Sequence, residues 1–400
     1  MKRKRCLFHL VIVSGLLTVM NTVFINTASA DQLNYDAIAE KMVTHALNVQ
    51  PGETVFITGQ PSELDLLGAL SVAANKAGGK TMILMNIREV NKRILMETPL
   101  EYLKMPSPFY IMLLRTADCV ISTSSDNDPT LFSEAPEERL AAARQANLPL
   151  EDSYNHLKFR HVGLGQTGGI PTKAYAESQG ADYEEMVTMF WQAVNTDYER
   201  MKKTGDKLKA VFKSGSHVHI SSKAGTDLVC KIADIPARVN YGSTRDNPAD
   251  FGPTYAWLPA GEVYTCVDTA SAEGTVVVPK TTFRGNVIKN LKLVFSNGHL
   301  LRLSADENED KVLDYFEQGT GAKDIFSIID IGINPDSHLL PGSDYRSFEM
   351  AGMVSVGIGD NAWAGGDLIS DIGLIYHLAD VTLSVDENKL VDNGKLVISK

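Results

Sequence analysis

Cysteine, an excess of positive charge and long apolar runs are all scarce in this 400-residue chain, and each shortage closes off a class of function. With 4 cysteines, one of them at position 6, the chain is not a disulfide-built scaffold. Its 38 Lys and Arg against 49 Asp and Glu give a formal net charge of −11, so nucleic acid is not an expected partner. No stretch beyond residue 30 is long and apolar enough to cross a membrane. There is no internal repeat, no low-complexity linker, and no G-x-S-x-G elbow around Ser355.

What is present begins with a secretory signal. Lys2-Arg3-Lys4-Arg5 precedes an apolar run from Cys6 to about Ile25, and Ala28-Ser29-Ala30 supplies small residues for cleavage. Residues 1–30 are read as a signal peptide, the mature chain as starting at Asp31, and the protein as exported to the periplasm or the cell exterior. Losing the leader takes the net charge to about −15 by charge counting. It also leaves three cysteines, which permit one bridge at most. Cys119, inside TADCVIS, is expected to be a buried core thiol. Cys230 and Cys266 lie in separate predicted strands and either bridge or stay buried and free.

The remaining length suits two domains. Residues 31–205 alternate helix and strand signals. A helical pattern through Ile38, Met42, His45 and Leu47 gives way at Pro51-Gly52-Glu53 to the strand Thr54-Val55-Phe56-Ile57. A second helix through Leu64, Leu67, Leu70 and Val72 ends at Gly78-Gly79, before the strand Thr81 to Met85; Asp118 to Ser122 is a third apolar strand. Buried strands between amphipathic helices predict an N-terminal α/β domain with a mostly parallel sheet. A helix from Tyr183 to about Lys203, with its apolar stripe at Met186, Met189, Phe190, Ala193 and Val194 and a stop at Gly205, closes this half. Residues 206–400 turn to short alternating strands (HVHISS, DLVCKI, EVYTCV, GTVVVP, LKLVFS, MVSVGIG, DVTLSV) and predict a C-terminal β-rich, mixed α+β domain with a cleft between the two.

Several constellations carry chemistry. Glu262, Tyr264 and Cys266 share one face of a strand, a candidate catalytic set in which Glu262 leads; Cys266 has no evident His to activate it. His217-Val218-His219 has metal-compatible spacing but no third ligand in view, which favours a solvent-facing pair. His156 and His161, with Asp152 and Arg160, flank GLGQTGG at Gly163 to Gly169; this glycine run comes late, with Pro171 close behind, and fits a loop over the cleft better than a dinucleotide site. No cofactor is implied.

The stretch LPAGEVYT at Leu258 to Thr265, followed by AEGTVVV, GINP at Gly332 to Pro335 and GDNAWAGG at Gly359 to Gly366, resembles the aminopeptidase T-like family of two-metal peptidases. The resemblance implies metal ligands at Glu262, at an acidic residue six before Asn334, at a His six before Asn361, and at a His-x-Asp pair starting three after Ser370. Those last positions hold Ile328, Ser355, Gly373 and Ile375. Spacing is otherwise kept as far as Asp386, so the scaffold remains while four of five ligands are gone. A bridged metal pair needs about three protein ligands per ion, and one carboxylate cannot supply them.

The expectation is therefore an exported aminopeptidase T-like protein with a dismantled metal site and no bound metal. It is either an enzyme repurposed for a small peptide- or amine-derived molecule, or a non-catalytic binding protein. Ser355, Asp360 and Asn361 are candidate ligand-binding residues. A third alternative is a metal-dependent aminopeptidase with ligands relocated among Asp330, His338, Asp344, His377 and Asp380, with His338 and His377 as the histidines; on strand spacing His377 and Asp380 point apart, and all five read as turn and surface residues. The resemblance also implies a homodimer.

Overall fold

The computed structural model describes residues 34–125, 127–165, 169–246 and 254–398, so the leader lies outside the described residues. The chain opens on a helix, Tyr35–Glu40, whose first turn is capped by the Asn34 side chain accepting from the Ala37 N–H at 3.1 Å. It continues as a π-helical turn, Lys41–Ala46. Gly52, at φ +92°, then turns the chain into the first strand.

In chain order the strands are β1 (Thr54–Gly59), β2 (Lys80–Met85), β3 (Cys119–Thr123), β4 (Arg160–Leu164), β5 (His217–Ser222), β6 (Asp227–Lys231), β7 (Arg238–Asn240), β8 (Thr254–Leu258) and β9 (Glu262–Cys266). They continue as β10 (Glu273–Phe283), β11 (Asn286–Ser296), β12 (His299–Ser304), β13 (Phe326–Gly332), β14 (Val354–Gly359), β15 (Gly373–Leu378), β16 (Val381–Val385), β17 (Asn388–Asp392) and β18 (Lys395–Leu396). Five of them, in the order β2-β1-β3-β4-β8, make a wholly parallel sheet. An eight-stranded antiparallel sheet and a second five-stranded one, β15-β14-β13-β9-β7, complete the protein. The architecture is thus the expected parallel α/β sheet joined to β-rich sheets. Its last parallel strand, β8, comes from beyond residue 206, so the first sheet draws on both halves of the sequence.

The sheets share one apolar core that runs from Val55 and Ile57 of β1 through Leu258 and Val263 to Leu383 and Val385 of β16. Three local expectations are corrected. The helix from Tyr183 ends at Val194, and a second one, Tyr198–Ser214, starts with Asp197 as its cap. Gly205 lies inside that second helix, where a Cβ would meet Tyr241 and Val239 at 2.7 Å; it permits close packing and stops nothing. The strand at Thr81 to Met85 is an exposed edge, with Met82 48% accessible, and is not buried. Cys119, Cys230 and Cys266 are all buried and free, so no bridge joins the last two: they lie on β6 and β9, which belong to different sheets.

Candidate functional site

Every second residue of a strand faces the same way, and the register of β9, β13, β14 and β15 lines up Tyr264, Asp330, Ser355 and His377 in one row. The next row along is Cys266, Ile328, Gly357 and Ile375. The first row is polar and the second almost wholly apolar. Glu262 stands opposite Gly332, one repeat beyond the polar row.

This face looks toward β4 and β8 across a cavity of about 410 Å³. Glu262, Asp330, Ser355 and His377 line it on one side, His161, Tyr255 and Trp257 on the other, with Phe348 and Trp363 between. Trp257, Tyr264 and Trp363 pack ring on ring, with centroids 5.1 to 6.0 Å apart. The result is an aromatic chamber with two acids in its wall.

Those acids are 3% and 6% exposed. Burial is the main reason the Glu262 carboxyl sits well above its ordinary range, with Asp330 and then Glu349 adding to it. Asp330 is raised by burial too, and Glu349 adds to the rise while contacts with Glu262 and Ser355 pull against it. Two carboxyls so placed do not both ionise at neutral pH, so the pair keeps a proton. Glu262 Oε1 and Asp330 Oδ1 make no hydrogen bond among the described residues. The indole nitrogen of Trp257 also lacks one, though the ring lies near enough to temper the Glu262 shift. Glu349 stands behind the pair, accepting from Ser337 Oγ at 3.0 Å and from Ser347 Oγ.

Two histidines complete the wall. His377 Nδ1 is 2.9 Å from Ser355 Oγ, and its Nε2 has no partner among the described residues. His161 has both nitrogens engaged, Nε2 with Ser122 Oγ at 2.8 Å and Nδ1 with Tyr154 Oη at 2.7 Å. Burial lowers each imidazole to about 4, so both are neutral at pH 7.

The profile of the thermophilic metalloprotease (M29) family matches residues 31–327. The chain belongs to that family. Among similar proteins, aminopeptidase PepS of Streptococcus thermophilus is 22% identical over 79% of this chain and 80% of its own length. Aminopeptidase AmpS of Bacillus subtilis is 23% identical over 72% of this chain and 76% of its own. Of solved structures, wild-type AmpT from Thermus thermophilus superposes with a TM-score of 0.68 at 17% identity, covering 91% of this chain and 99% of that one. A 2,5-dihydroxypyridine dioxygenase from Pseudomonas putida has a TM-score of 0.58 at 16% identity, covering 92% and 97%. At these identities the two structures speak for the fold alone.

The M29 match stops one residue before Ile328, the first of the positions at which the resemblance implies a ligand and the chain has none. The residues at the five positions that the resemblance implies do not fit the metal the family name implies. Of the five positions, 262 offers a carboxylate and 355 a neutral hydroxyl, while Ile328, Gly373 and Ile375 offer no side-chain donor. Among the described residues no three His, Cys, Asp or Glu side chains converge as a metal site.

The structure sorts the sequence candidates. Glu262 and Ser355 line the cavity. Tyr264 packs against the Trp257 and Trp363 rings without lining the cavity, and Cys266 is buried in the same apolar cluster as Ile328 and Ala364. Burial raises the Cys266 thiol to about 11, and no His pairs with it, so it lacks the features of a nucleophile. Asp360, raised to about 6 by burial, lines a smaller neighbouring hollow with Gly373 and Ile375. Asn361 lies outside the cavity; its Oδ1 accepts from Leu368 N at 3.0 Å and braces the glycine loop. His338 is exposed and away from the cavity wall, and Asp380 sits in a turn outside it. Asp330 and His377, expected as turn or surface residues, instead line the chamber. His217 and His219 face solvent beside Asp386 and Asp227, as expected.

Sequence reading missed Trp257, Phe348 and Glu349; it sets His161 beside a loop over the cleft, without a role in the wall. The signal for Asp330 and His377 was available: each lies two residues, one strand repeat, beyond Ile328 and Ile375. Nothing comparable marks Trp257, Phe348 or Glu349.

Proposed function

We propose that this member of an aminopeptidase family uses its chamber for a small peptide- or amine-derived molecule, by chemistry that does not pass through the family's metal pair. The observation that carries the reading is the Glu262–Asp330 pair, two buried, mutually contacting carboxyls to whose Oε1 and Oδ1 no other described group donates, on the wall of an aromatic cavity. A buried acid pair holding one proton has a base and an acid side by side. It also offers a single negative charge to a substrate ammonium, and Trp257 and Trp363 supply faces that favour a cation. Glu262 is the residue that anchors the amine or moves its proton. The curated relatives are aminopeptidases, which is in keeping with a substrate that carries an amine.

The test is a calorimetric titration of chelator-treated protein with phenethylamine, an aromatic amine small enough for the chamber. Binding is expected, and Glu262→Gln should weaken it about tenfold or more, the usual cost of removing a charge-assisted hydrogen bond. Equal binding by the variant, or metal analysis of untreated protein finding a tightly held pair of ions per chain, would overturn the reading.

A further inference from the structure

We propose that Ser355 is a nucleophile, His377 its general base, and the substrate of the chamber an amide or ester whose acyl carbon Ser355 attacks. The inference rests on the chamber being a substrate site. The geometry comes from β-sheet register alone. Residues 355 and 377 are directly opposite on β14 and β15, which brings Oγ to 2.9 Å from Nδ1, the separation a nucleophile and its base require. Both side chains line the chamber.

His377 differs from the other buried histidine in ways that suit this role. His161 spends both nitrogens on Ser122 and Tyr154. His377 spends one, and its other nitrogen is unpartnered among the described residues. His377 also forms part of the wall of a second, more polar cavity of about 550 Å³ that holds Lys223, Lys280, Arg346 and Asp380. With its ring proton on Nε2, His377 can accept the hydroxyl proton at Nδ1.

The step balances without any further reactant than water. As Ser355 Oγ bonds to the acyl carbon, its proton passes to His377 Nδ1. When the carbon–nitrogen or carbon–oxygen bond breaks, that proton leaves with the amine or alcohol. Water then attacks the acyl-serine, giving one proton to His377, which returns it to Ser355 Oγ as the ester bond breaks; the product departs as the carboxylic acid and ionises in solvent.

A fluorophosphonate, which phosphonylates activated serines, tests this with intact-mass and peptide-map readouts. One adduct per chain on Ser355 is expected, with the labelling rate reduced about a hundredfold or more in His377→Gln, the scale of a lost general base. Thermal melting and phenethylamine binding show whether each variant still folds around its chamber. As a second reading of the pair, Ser355→Cys should be alkylated by iodoacetamide near neutral pH, and the double variant with His377→Gln only at higher pH. An adduct on Ser122, labelling unaffected by His377→Gln, or no labelling of protein that still binds phenethylamine would each overturn the dyad. Labelling of Ser355 in protein that does not bind the amine would instead overturn the amine-binding reading and leave the dyad standing.

Discussion

A carboxyl held above its ordinary range makes stability depend on pH, and the sign follows from which state binds the proton. Above the ordinary Glu range the unfolded chain releases its proton while buried Glu262 retains it, so the folded state binds more protons and loses stability as pH rises toward the folded value. The buried histidines act the other way. His161 and His377, lowered from 6.5 to about 4, bind fewer protons folded than unfolded in that window, so their contribution is present above 6.5 and lost as pH falls toward 4. The two effects oppose each other below pH 6.5, and above it the acid pair remains. Glu262→Gln should therefore gain on the wild type as pH rises above neutral, by up to about 1.4 kcal/mol per pH unit for one retained proton. Urea midpoints measured from pH 6 to 9 check this. Parallel curves would mean that Glu262 is already ionised at pH 6.

At the level of elements, periodicity made most strands legible, because alternation of two is a local property. HVHISS, DLVCKI, EVYTCV and DVTLSV appear as strands where the pattern places them. What could not be read was which strands lie side by side. The row Asp330, Ser355, His377 exists only once β13, β14 and β15 are in register; the two-residue offset of 330 and 377 from 328 and 375 keeps each on the same strand face, but nothing local sets them beside Ser355. Gly205 shows the same limit. A glycine near the end of an amphipathic stretch ordinarily marks a stop, but here it lets the Tyr198–Ser214 helix settle against Val239 and Tyr241. In an exposed helix Gly→Ala would stabilise by about 1 kcal/mol. At this site the added methyl meets the Tyr241 ring, itself tied by its hydroxyl to Asp206 at 2.5 Å, so Gly205→Ala should destabilise by about 1–3 kcal/mol. A rise in the urea midpoint would show that the packing there is loose.

For the molecule as a whole, we propose export through a leader cleaved before Asp31 and assembly as a homodimer, and the second carries a structural prediction. The edge of the parallel sheet is open. β2 has no partner beyond β1 among the described residues, and its Met82, Ile83, Leu84 and Met85 are exposed on both faces. Val90 and Ile94 of the helix that follows, and Met105, Phe109 and Met112 further along the chain, are exposed as well, Phe109 at 68%. Unpaired strand edges that carry apolar side chains invite pairing with another chain, and the single charge on β2 is Lys80 at its start. A second copy of β2, antiparallel across a two-fold axis, would satisfy the edge and cover the same strand on both partners. Sizing chromatography of protein starting at Asp31 should give a dimer, and Leu84→Lys, which places a charge on the edge without touching the chamber, should give a monomer that still binds phenethylamine. A dimer that survives this substitution would move the interface away from β2, and a wild-type monomer would end the homodimer proposal.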